Sequence, residues 1–126
     1  LLGTSEGVYF YYVRNENVTR LLLQLKGETI SDMLYDDKTG NCWLASLTNG
    51  VYCVDNNFQI KHHYNKQNTP AYFLTNSVRT LSGDDKGRVW IGTMEGLLIR
   101  RRELSVSAVF LLKIRLLWGI IPSALY

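Results

Sequence analysis

Few residues of this chain have a type and spacing that could do chemistry. His62 and His63 are the two histidines and stand next to each other. On a strand they would point to opposite faces, so they cannot hold one metal ion together, and the bland reading is an exposed strand. Two acidic pairs, Asp36-Asp37 and Asp84-Asp85, could suggest a calcium loop or an acid and a base. A calcium loop needs alternating ligands and a Glu at its twelfth position, where counting from Asp36 gives Leu47. Glycosidase chemistry would need two carboxylates across a closed pocket. Cys42 and Cys53 form neither a metal quartet nor a disulfide framework and are expected as free, half-buried thiols, roughly diagonal on neighbouring strands. Arg100-Arg101-Arg102 could meet phosphate or a membrane surface, but at a strand end alternate residues are solvated, so a solvated edge is expected. There is no G-x-S-x-G elbow. The residues therefore predict no catalytic group, no metal and no cofactor.

The elements that carry these residues repeat. Leu2-Gly3-Thr4-Ser5-Glu6-Gly7-Val8-Tyr9, Trp43-Leu44-Ala45-Ser46-Leu47-Thr48-Asn49-Gly50-Val51-Tyr52 and Trp90-Ile91-Gly92-Thr93-Met94-Glu95-Gly96-Leu97-Leu98 answer one another. Trp43 and Trp90 stand 47 residues apart, Gly7 and Gly50 43, and Gly50 and Gly96 46. A period of about 42–48 is that of four-stranded propeller blades. Asp37 with Gly40, and Asp85 with Gly87, lie between short β-prone runs, where Asp can bond the turn backbone and Gly can take a positive φ. One full unit reads as strands near 30–35, 41–46, 51–55 and 58–64, followed by a connection over 65–77. No stretch within 1–103 has helical periodicity between caps, so the class is all-β.

Residues 74–97, with their V-x-x-L strand, Asp-Asp-Lys-Gly turn, Trp90-Ile91-Gly92-Thr93 and Gly96-Leu97, resemble the two-component regulator propeller repeat. Residues 30–52 match with Ala45-Ser46 in place of Gly-Thr, and 2–9 match its second half. The repeat signature is then Trp43, Gly50, Asp37, Gly40, Trp90, Gly92, Thr93, Gly96, Asp85 and Gly87, all in structural roles. Each Trp is expected to pack as a plate between blades, with an indole N–H that needs a partner. Gly92-Thr93 suits a strand near a crowded axis. The resemblance implies the periplasmic sensor region of a Bacteroides-type hybrid two-component protein, detecting a glycan-derived ligand on blade-end loops. The fold expected is a partial β-propeller of about two and a half to three four-stranded antiparallel blades. Its propeller-repeat region is 1–103, with a partial blade at 1–25, a full blade at 30–64 and a third from 78.

The chain has 126 residues, 46% of them apolar, and a formal charge of +3. Divided by a period near 45, that length gives fewer than three blades, where closed propellers have about four to eight, so the sequence reads as a fragment cut at its front. Five of the fourteen basic residues lie in 100–126 against one acid, Glu103, which leaves 1–99 near −1. A near-neutral body argues against nucleic acid as a partner. The tail, 104–126, departs from the repeat: 105–112 is a candidate fourth strand of the third blade, and beyond it a truncated or frame-shifted end is expected as readily as a designed one. Lys113 and Arg115 at its centre argue against a membrane span, each costing about 2.5–3.5 kcal/mol on insertion. No leader is visible at Leu1. The partners expected are an oligosaccharide, the rest of a propeller or a second copy; a fragment of a propeller lyase or hydrolase, or a self-associating interaction module, are the alternatives.

Overall fold

A computed structural model describes residues 1–12, 14, 16–20, 22–100 and 110–114, and within them the strands form three antiparallel sheets in chain order. Sheet one holds β1 (Leu2–Thr4), β2 (Gly7–Tyr12) and β3 (Asn17–Arg20). A short 3-10 turn, Leu23–Leu25, leads out of it. Sheet two holds β4 (Ile30–Asp36), β5 (Asn41–Ser46), β6 (Gly50–Val54) and β7 (Ile60–Tyr64). Sheet three holds β8 (Val78–Gly83), β9 (Val89–Thr93), β10 (Gly96–Arg100) and β11 (Phe110–Ile114). Each sheet is a meander whose neighbours in space are neighbours in sequence, which is what tight Gly-containing turns between short β-prone runs dictate. This is the architecture of consecutive propeller blades.

Sheet two is covered on both faces, so β5 and β6 read as almost continuous apolar runs and are buried nearly throughout. Alternate residues go to different cores. Trp43, Ala45, Val51 and Cys53 pack with Val78, Leu81, Val89, Ile91 and Leu98 of sheet three and with Phe73 of the connection. Cys42, Leu44, Tyr52 and Val54 pack the other way, with Val8, Leu22 and Leu25. Leu44 and Ile91, which occupy matching places in the two repeats, are both fully buried; truncating such a side chain to Ala costs about 2–5 kcal/mol.

That alternation revises the cysteine reading. Cys42 pairs with Val54 and Trp43 with Cys53, so the two thiols lie on opposite faces of the sheet rather than diagonally on one, and both are buried rather than half-buried. Arg100 is also placed differently from expectation. It is 7% exposed, its guanidinium 4.6 Å from the Trp43 ring centroid and 5.8 Å from that of Tyr64, because its pairing with Val89 turns it toward sheet two. Arg101 and Arg102 lie outside the described residues. So does most of the expected strand at 105–112; β11 pairs with β10 through Leu97↔Ile114 and Leu98↔Lys113. The tail beyond it is likewise outside. Among the described residues no helix is long and apolar enough to cross a membrane.

Sheets two and three are joined by polar contacts between their inner strands. Both β4 and β8 carry a bulge at their start, at Ile30/Asp32 and Val78/Thr80, and a bulge re-aims the side chain it carries. Ser31 Oγ accordingly donates to Val78 O at 2.6 Å, and Asp32 Oδ2 accepts from Leu81 N at 2.8 Å. Backbone bonds repeat with the unit as well: Leu47 N donates to Thr29 O at 3.0 Å and Met94 N to Ser77 O at 3.1 Å.

Candidate functional site

The sheets present two ends, and the residues singled out in the sequence divide between them. At one end lie the Asp-Gly turns. Asp84 Oδ1 accepts from Lys86 N and Arg88 N at 2.9 and 3.0 Å, and Oδ2 accepts from Arg88 Nε at 2.6 Å and the Trp90 indole N–H at 2.9 Å. Partial burial works against the charge, but the bonds from Trp90, Arg88 and Lys86 outweigh it and hold the carboxyl well below the usual carboxylate range. Asp36 Oδ atoms accept from Lys38 N at 3.1 Å and Thr39 Oγ1 at 2.9 Å. Gly40 and Gly87 close the two turns at the same φ of +76°, where only glycine sits without strain. The turn is therefore bonded by the first aspartate of each pair, Asp36 and Asp84, while Asp37 and Asp85 are exposed. A third turn repeats the device: Asp55 Oδ1 accepts from Asn57 N at 2.9 Å and Gln59 N at 3.0 Å.

The two tryptophans differ. Trp43 is 3% exposed and forms a stack with His62 and Tyr64, each at 6.4 Å between centroids. Trp90 lies on the opposite face of sheet three from that core, half-buried, tied within its own sheet to Asp84. Gly92 faces Thr80 so closely that a Cβ would stand 2.5 Å from its Cγ2; the crowding comes from the paired strand. Thr93 Oγ1 donates to Gly96 O at 2.8 Å and accepts from Glu95 N at 3.1 Å, and Thr4 does the same with Gly7 and Glu6 at identical distances.

At the other end of sheet two the loops converge on a polar cluster that the sequence reading did not single out. Glu28 Oε2 accepts from Ser46 Oγ at 2.7 Å, and Oε1 from Asn49 Nδ2 at 3.0 Å and Tyr52 OH at 3.1 Å. Burial disfavours its charge, yet these bonds and nearby His63 lower its pKa below the ordinary value. Burial, and then Glu28, push the Tyr52 phenol up. The His63 ring stacks on Tyr52 at 3.9 Å, with Nε2 2.7 Å from Asn49 O. Asn65, 8% exposed, exchanges side-chain bonds with the backbone N–H of Asn68, and Asn68 with that of Asn65, both at 2.9 Å. Gly50 makes this closeness possible: its φ is +84°, and a Cβ would lie 2.1 Å from Tyr64 O. The only sequence signals were the Asn-Gly pair at 49–50 and the asparagines of the connection.

His62 and His63 do point to opposite faces, one to the Trp43 stack and the other to Tyr52, and both are half-buried rather than exposed. Among the described residues no group of three His, Cys, Asp or Glu side chains is arranged to hold a metal. The cluster offers a carboxylate, amides, hydroxyls and an aromatic stack, which is the chemistry of hydrogen-bonded recognition.

Residues 72–95 match the family model described as two component regulator propeller. The comparison with curated proteins gave no match. Among solved structures, the chain is similar to the extracellular domain of the hybrid two component system BT3049 of B. thetaiotaomicron, with 26% identity and a TM-score of 0.70 over 90% of this chain and 15% of that one. It is similar to PorZ, a surface component of the type-IX secretion system of Porphyromonas gingivalis, at 26% identity and a TM-score of 0.54, over 66% of this chain and 11% of PorZ. The extracellular domain of BT4673 of B. thetaiotaomicron shares the fold, with 13% identity and a TM-score of 0.63 over 79% of this chain and 15% of that one. The chain thus spans about 15% of the length of the two-component domains it matches. The fold is that of a partial β-propeller, and residues 72–95 within it carry the match to the two component regulator propeller repeat.

Proposed function

We propose that this chain is part of the ligand-sensing propeller of a two-component signalling protein, on the periplasmic side of the membrane, and that the ligand is a glycan-derived oligosaccharide. The observation that carries the reading is the similarity over 90% of the chain to the extracellular domain of a hybrid two component system. The repeat matched at 72–95 supports it, and so does the chemistry of the loop end, where amides, hydroxyls, a carboxylate and aromatic rings lie together. Sugars are recognised by such groups, because each hydroxyl needs a donor or acceptor and each ring face an apolar partner. The chain's own part is to present these loops on a rigid scaffold rather than to transform the ligand.

The test is calorimetric titration of the chain with oligosaccharide fractions of defined linkage, repeated with Asn68→Ala, an exposed position in the cluster. Binding of at least one fraction, weakened in the variant, is expected. A folded chain that binds no fraction refutes the glycan as ligand. Cell fractionation with antibody against the chain checks the location, and recovery in the cytoplasm refutes it.

A further inference from the structure

The sequence holds one Asn-Gly pair, Asn49-Gly50, and it stands at the turn from β5 to β6, where the register ends on Ser46↔Gly50. In such a pair the glycine amide nitrogen can attack the asparagine side-chain carbonyl, because a neighbour without a Cβ leaves the approach open. Every other asparagine is followed by a residue with a side chain.

The fold ties down both reacting groups. Gly50 is buried and its N–H donates to Asn76 O at 2.9 Å, so the nitrogen keeps its proton and is committed to the connection over 65–77. Asn76 is itself fastened there, with Oδ1 accepting from Lys66 N at 2.7 Å and Nδ2 donating to Gln67 Oε1 at 2.9 Å. The Asn49 amide is held on three sides: Nδ2 donates to Glu28 Oε1 at 3.0 Å and to Tyr52 OH at 2.8 Å, and Oδ1 accepts from Asn65 Nδ2 at 3.4 Å. Ring closure requires the side chain to leave these partners and Gly50 N to leave Asn76, which means local opening of the connection away from the turn.

We infer that Asn49 is a deamidation site gated by that opening: it is inert while the connection is seated, reacts when the connection lifts, and its products keep the polar cluster from re-forming. In the first step Gly50 N bonds to Asn49 Cγ, the Cγ–Nδ2 bond breaks, and the Gly50 proton departs with Nδ2 as ammonia, leaving a succinimide. In the second, solvent water adds to either ring carbonyl and opens the ring to aspartate or isoaspartate; nothing is oxidised or reduced. Aspartate replaces the Nδ2 donor by an acceptor facing Glu28 Oε1 and Tyr52 OH, so two carboxylates meet where a hydrogen bond stood. Isoaspartate routes the main chain through Cγ and lengthens it just before Gly50, where the register pairs with Ser46 and an added Cβ would already meet Tyr64 O.

Incubation of the full chain at one mildly alkaline pH, across a series of urea concentrations from none to fully denaturing, tests the inference. The tryptic peptide Thr39–Lys61 carries Asn41, Asn49, Asn56 and Asn57, and fragmentation places the gain of one mass unit on one of them. In denaturing urea Asn49 is expected to change at least tenfold faster than the other three, and in buffer at least tenfold more slowly than in urea. At intermediate urea its rate should rise in parallel with amide exchange at Gly50, since both need the same opening. The modified chain, after removal of urea, should have lost protection at Gly50, and Asn49→Asp should show the same loss. Equal Asn49 rates in the folded and unfolded chain, or a rate that does not follow Gly50 exchange, overturn the gating. Faster change at another asparagine in urea overturns the site, and a refolded modified chain with Gly50 as protected as in the parent overturns the consequence.

Discussion

Replacing Asp32 by alanine removes the acceptor that joins the inner strands of sheets two and three. Its Oδ2 accepts from Leu81 N at 2.8 Å and from Thr80 Oγ1 at 3.3 Å, and Oδ1 from Met33 N at 2.9 Å. A hydrogen bond to a charged group contributes about 1.5–3 kcal/mol, and a backbone N–H left without a partner costs about 1–3 kcal/mol. Asp32 is only half-buried, so water can reach part of the space and the lower half of that range applies. The expected loss is about 2 kcal/mol, or roughly 6–10 °C in Tm for a domain of this size. Asp32→Asn keeps an acceptor oxygen without the charge and should lose about half as much. Denaturant unfolding gives the two free energies, and amide exchange gives the location: protection should fall first at Leu81. An alanine variant within 0.5 kcal/mol of the parent (about the spread of neutral surface substitutions), with Leu81 still protected, would refute the inter-sheet role.

Four further outcomes follow from the same geometry. Gly50 and Gly27 share a φ of +84°, but a Cβ meets Tyr64 O at 2.1 Å at the first and nothing within 4 Å at the second; Gly50→Ala should therefore destabilise by at least about 2 kcal/mol more than Gly27→Ala, measured by urea unfolding. Asp84 has a folded pKa below its unfolded value, so its contribution is present above the ordinary carboxylate pKa and is lost as pH falls through the depressed one; the stability gap between parent and Asp84→Asn should accordingly close in acid, and a gap independent of pH would contradict this. Burial, then Arg100 and Lys61, lower the pKa of His62, so the unfolded chain takes up the proton first and stability should decline as pH drops below about 6.5; His62→Gln should flatten that part of the pH profile. Burial pushes the Cys53 thiol up to about 11 and raises that of Cys42 as well; both should react with a thiol reagent in the native chain far more slowly than in urea, and mild oxidant should leave the monomer without an internal disulfide.

The all-β class, the turns and the repeat were legible because each is local. A 47-residue spacing between Trp43 and Trp90 survives any folding detail, and an Asp before a Gly between apolar runs forms the same tight turn wherever the sheet sits. The strand expectations at 30–35 and 41–46 lie within a residue of β4 and β5 for that reason. Which aspartate bonds the turn was not legible. Asp36 and Asp37 differ by one place, and on a strand one place reverses the face; the pairing of Asp36 with Asn41 is what sets the first of them toward the turn backbone.

The same parity governs the side chains that the tertiary structure alone placed. Cys42 and Cys53 could be thought near neighbours until the Trp43↔Cys53 pairing put them on opposite faces. Arg100 reads as a solvated strand end until its pairing with Val89 turns it over the Trp43 ring. Glu28, Ser46, Asn49, Tyr52 and His63 are scattered over 36 positions of sequence, and only the sharp turn at Gly50 and the stacking of one sheet on the next bring them together. The sequence by itself determined the unit, its period and its turns, since these depend on residues a few positions apart. The tertiary structure decided which face each residue joins and which loops meet, since these depend on strand register and on contacts between sheets some 47 to 49 residues apart.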